Sequence, residues 1–119
     1  MTQNNLGSTL EDLGRRSSGE QTAQYLQQSV AAHHAALEVQ TREQLPQDWA
    51  MTQNNLGNVL EDLGMHSSGD QSAQYLQQSV AAYENALTVF TPDVDPFYND
   101  IARRNLEEAK AALRALSSR

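Results

Sequence analysis

The chain has 119 residues, a formal net charge of −7 and no cysteine. That length suits one domain or a short repeat array. The missing cysteines exclude disulfides, thiolate metal sites and a cysteine nucleophile, and the acidic balance argues against nucleic acid, whose phosphates need a basic stripe. No apolar run approaches the roughly 18 residues of a membrane span. Residues Met1 to Asn5 lack the basic and apolar segments of a secretory signal. The expectation is a cytoplasmic chain with no membrane partner.

In chain order, the first element is MTQNNLGSTLEDLG at 1–14, and it returns as MTQNNLGNVLEDLG at 51–64. The segment QYLQQSVAA at 24–32 returns unchanged at 74–82, and 28 of the 37 positions in 1–37 are identical in 51–87. Fainter echoes join Val39 to Val89, Thr41 to Thr91 and Pro46 to Pro96, all at an offset of 50. The same offset lays Asn105-Leu106 over Asn55-Leu56, so a degenerate third copy begins near Pro96. A fixed period of this kind marks a helical repeat array.

Each full copy reads as two helices. The second helix of copy one opens at Ser18-Gly19-Glu20-Gln21, a serine N-cap with glutamine three later, and buries Ala23, Leu26, Val30, His33 and Leu37. In copy two, Trp49, Gln53, Leu56, Leu60 and Leu63 share one face of the first helix. Pro46 sits in its first turn and Gly64 is placed to end it. The second helix follows from Ser68-Gly69-Asp70-Gln71, with Ala73, Leu76, Val80, Tyr83, Leu87 and Phe90 on its apolar face. The last helix, Pro96 to Leu116, turns Ala102, Leu106, Ala109, Leu113 and Leu116 inward. Its outer side pairs Arg103 with Glu107 and Arg104 with Glu108 at i,i+4. Phe97 and Tyr98 seat its first turn. No alternating β-branched run exists, so the reading is all-α with five helices: repeat one at 1–45, repeat two at 46–95 and a capping helix at 96–119.

Gly7 and Gly57 lie inside helices, where glycine costs roughly 1 kcal/mol relative to alanine. Close approach of a neighbouring helix accounts for them; a kink is the alternative.

These residues resemble the tetratricopeptide repeat family. Copy two supplies Leu56-Gly57, Leu60, Gly64, Tyr83 and Ala86-Leu87; copy one supplies Leu6-Gly7, Leu10, Gly14, His33 and Ala36-Leu37. The Asn-Asn-Leu string is most similar to the kinesin light chain type of repeat. The period departs from the family's usual 34, and Ser29 and Ser79 stand where a small residue is usual in the second helix. The resemblance implies an α-solenoid of two hairpins and a cap, working as a protein-interaction scaffold. It implies a concave groove lined by first helices, in which Asn5, Asn55 and Asn105 form a ladder that grips a peptide backbone. Asn4, Asn54, Asn58, Arg104 and Glu108 are neighbouring groove candidates. These asparagines equally suit a bracing role between adjacent helices, and the two roles are compatible. A carboxylate clamp is disfavoured, because Ile101 and Asn105 stand at its lysine and arginine positions.

No residue takes a catalytic role, and no cofactor is implied. His33 and His34 are adjacent and point roughly 100° apart on a helix, so they do not share a metal; His33 aligns with Tyr83 and is a packing residue, and His66 is a loop residue. Glu61-Asp62, repeated from Glu11-Asp12, has neither nucleophile nor pocket beside it. Copy one lacks the lead-in that Pro46 to Ala50 gives copy two, which leaves its amino end uncapped. That end suits self-association, repeat exchange between near-identical copies, or a place inside a longer array. The alternative function is therefore a structural segment with no ligand of its own.

Overall fold

A computed structural model describes residues 7, 8, 10, 11 and 20–117. Most of the helix expected over 1–14, with Asn4, Asn5 and the Ser18 cap, lies outside the described residues; residues 7, 8, 10 and 11 are helical. Four helices follow: α1 (Glu20–Val39), α2 (Pro46–Met65), α3 (Gly69–Leu87) and α4 (Pro96–Ser117). Among the described residues there is no strand, and no helix is long and apolar enough to cross a membrane.

The joints between α1 and α2 and between α3 and α4 are the same turn made twice. The Leu45 amide donates to the Thr41 carbonyl at 2.8 Å, and the Asp95 amide to the Thr91 carbonyl at 2.9 Å. Each threonine hydroxyl oxygen also accepts an amide three residues on, from Gln44 at 3.1 Å and Val94 at 3.3 Å. A proline then starts each following helix, where its missing N–H costs nothing. The faint echoes at Thr41/Thr91 and Pro46/Pro96 are therefore turn chemistry.

Several expected ends differ. Ser68 holds the N-cap position of α3 but makes no side-chain cap bond. Gly69 takes φ +59, so the chain has not yet entered the right-handed helix there and the Ser68 hydroxyl falls short of the first-turn amides. Gly64 does not end α2: the helix continues to Met65 and is closed by His66, whose amide meets the Asp62 and Leu63 carbonyls. The His66 Nδ1 also lies 2.8 Å from the Asp62 carbonyl. Phe90 lies past the end of α3, yet is buried and stacked on Tyr98 at 5.1 Å. Phe97 is 67% exposed and does not seat the turn; Tyr98 does.

α3 packs between α2 and α4, while α1 lies on the other flank of α2 without packing on α3. The core between α1 and α2 is Leu26, Leu56, Val59, Leu60 and Leu63, joined by Ala82 from α3. Along α3 the buried seam is Ser72, Leu76, Ser79, Ala82, Tyr83 and Ala86. It lies one step round from the expected strip, whose Ala73, Val80 and Leu87 are only half-buried. Small residues bring α3 close to α2, and the larger aliphatics are left at the seam's edge.

Glycine makes that approach possible, as the repeat pattern predicts. A Cβ on Gly57 would stand 2.5 Å from Cε1 and 2.6 Å from Cδ1 of Tyr83. One on Gly7 would stand 2.8 Å from Cε1 of His33. Gly64 faces Leu76 in the same way, at 2.7 Å from Cγ. Gly57→Ala gains roughly 1 kcal/mol of helix propensity but overpacks a ring wedged against α4. A net loss of about 2 kcal/mol in urea unfolding is expected, with a comparable loss for Gly64→Ala, because the new Cβ would strike Cγ of the buried Leu76.

Candidate functional site

The seam between α2 and α3 carries polar bonds as well as close contacts. Ser79 Oγ donates to the Gly57 carbonyl at 2.7 Å, and Ser72 Oγ to the Gly64 carbonyl at 2.6 Å. Ser29 Oγ makes the same bond to the Gly7 carbonyl. Each carbonyl has a second lone pair to offer besides its backbone bond, and a bare glycine lets a serine from the neighbouring helix reach it. Ser29 and Ser79, which recur at the offset of 50, are thus paired to the glycines.

Tyr83 completes the arrangement. Its ring is fully buried over Gly57 and against Leu106 and Ala109 of α4. Its hydroxyl reaches Asn58 Oδ1 at 2.6 Å and Glu61 Oε1 at 3.0 Å, sharing one proton between two acceptors. Burial, and then the Glu61 carboxylate, push the phenol's pKa far up, so it stays a neutral donor. Sequence reasoning missed this triad. Its signal was the paired change between copies, Ser8 and His33 becoming Asn58 and Tyr83.

The groove candidates fare differently from one another. Asn54 is buried, and its Oδ1 accepts from Asn105 Nδ2 at 3.2 Å, which joins α2 to α4. It is a brace there, not an open groove residue. Asn58 is engaged by Tyr83. Asn55 and Asn105 are half-buried, and Glu108 is exposed on α4. Arg104 pairs with Asp100, one turn back, at 3.2 Å rather than with Glu108. Asn4 and Asn5 lie outside the described residues. On the opposite flank, α1 and α3 leave a channel of about 410 Å³ over Leu56 and Leu60, edged by His34, Gln78 and Asn85; the periodicity gave no sign of it. Among the described residues, no group of three or more His, Asp or Glu side chains is placed to hold a metal.

His33 takes Tyr83's place in copy one. It is fully buried on Gly7, and neither ring nitrogen has a hydrogen-bond partner among the described residues. Burial, with a smaller contribution from His34, lowers its pKa to about 4.

No protein-family model, curated protein or solved structure matches the chain.

The histidine gives a signed pH dependence. The unfolded imidazole takes a proton near its ordinary 6.5, whereas the folded one waits until about 4. Stability is therefore whole above pH 6.5 and falls as the pH drops from 6.5 to 4, by about 3 kcal/mol in all. His33→Phe should remove this component, measured as the difference between the two proteins' unfolding free energies across that window.

Proposed function

We propose that the chain is a short tetratricopeptide-like α-solenoid, two hairpins and a capping helix, that binds a peptide or protein segment on the face shared by α2 and α4. The solenoid reading is supported by the glycine–ring contact, the serine–carbonyl bond and the threonine turn, each recurring at the repeat offset. The cap reading is supported by Glu107 and Arg114, which occupy the positions of Gly57 and Gly64 at that offset and are exposed.

The observation that carries the binding reading is the state of Asn105. Its Nδ2 donates to Asn54, while its side-chain Oδ1 makes no hydrogen bond among the described residues, on a half-buried side chain. An amide held in place by one bond, with an acceptor and a second N–H left over, suits the backbone of an extended segment. Asn55 stands at the matching position of α2, and Glu108 lies one turn further along α4. The acidic balance of the chain favours a basic or neutral segment over an acidic one. A second reading has its own support: the Asn54–Asn105 bond braces α2 against α4, as a purely structural array requires.

Peptides selected on the purified chain from a displayed random library separate the two. In the binding reading, Asn55→Ala and Glu108→Ala weaken a selected peptide by about tenfold or more while the thermal midpoint holds. Lowered midpoints with unchanged peptide affinity would favour the structural reading.

A further inference from the structure

We propose that the edge formed by the two inter-hairpin turns is a second docking surface, fitted to a basic protein segment that carries an aliphatic or aromatic anchor. The turns at 41–45 and 91–95 bound a cavity of about 480 Å³, lined by Leu45, Pro46 and Asp48 from the first turn and the start of α2, and by Val89 and Val94 from the end of α3 and the second turn. Of the large hydrophobic side chains exposed among the described residues, Leu45 (43%) and Val94 (70%) line the cavity, and Val39 (74%) and Phe97 (67%) flank the two turns in the chain; only Met65 lies elsewhere. Exposed apolar side chains scattered singly need no explanation, but a cluster around a cavity marks an interaction surface.

Charge decides what the cavity takes. Glu43, Asp48, Asp93 and Asp95 stand on the same two turns and helix starts, and the chain has no lysine or arginine anywhere from 43 to 102. The nearest base, Arg42, sits over the Trp49 ring at 5.9 Å. A neutral partner would desolvate Asp48, which lines the cavity, without compensation, and an acidic one would be repelled by all four carboxylates. A segment with an apolar side chain for Leu45 and Val94, flanked by lysine or arginine, satisfies both demands. The hydrogen-bonded turns hold the apolar side chains in place before binding, so little ordering is left for the partner to impose.

The probe is a short fluorescent lysine peptide with two central leucines, titrated by anisotropy against the full chain. Its controls are the peptide with glutamine for lysine and the peptide with alanine for leucine. The leucine–lysine peptide should bind best and weaken with added salt. Leu45→Ser with Val94→Ser, and separately Asp48→Asn with Asp93→Asn and Asp95→Asn, should each weaken it about tenfold, with helix content unchanged by circular dichroism. The charge variant should also lose the salt dependence. The proposal is overturned if the wild-type chain does not bind the peptide, or if the glutamine control binds as tightly. It is equally overturned if the folded variants bind like wild type, or if light scattering shows that a second copy of the chain already covers the patch.

Discussion

An aromatic ring lying on bare helix backbone organises this molecule. With no Cβ at Gly57, α3 comes close enough for Tyr83 to cover the backbone of α2 and for Ser79 to bond its carbonyl. The ring's far side is then free to meet Leu106 and Ala109, so one side chain sets the spacing of three helices. The glycine's cost in helix propensity, roughly 1 kcal/mol, is offset by packing that no other residue at that position allows. His33 on Gly7 repeats the geometry without the hydroxyl, and so without any bond to Glu11 of the kind Tyr83 makes to Glu61.

The contact also explains why α4 differs from α2. At the positions of the two seam glycines it carries Glu107 and Arg114, both exposed. α4 thus packs on α3 and carries exposed charge at the two positions where α2 has bare backbone. Charge follows the same division: the segment 46–95 holds seven carboxylates and no lysine or arginine, whereas 96–119 holds five basic and three acidic side chains.

Much of the fold was legible because it rests on residues that repeat. Helix number within 20–117, the prolines at the joints and the close approach at Gly57 all follow from the offset and from local backbone chemistry. What stayed hidden depends on the rotation of one helix against its neighbour. Periodicity placed Val80 and Leu87 inside, but the short approach at Ser72, Ser79 and Ala82 turns α3 so that these small residues occupy the seam. Gly64 resembled a helix stop by its place in the chain, and only the proximity of Leu76 shows it to be a contact glycine. The asparagines were recognisable as a recurring polar row, whereas their partners were not. Whether an amide meets Asn54, Tyr83 or solvent is set by which helix stands opposite, and that is tertiary information.

The claim that the ring and the glycine act as one unit is tested most directly by a double-mutant cycle on Gly57→Ala and Tyr83→Ala, read by urea unfolding. With the ring removed, the new Cβ has nothing to strike, so Gly57→Ala should become neutral or slightly stabilising in the Tyr83→Ala background. The predicted coupling is about 2 kcal/mol. Additive losses within about 0.5 kcal/mol would contradict the account, because the cost of alanine at Gly57 would then not come from the Tyr83 ring.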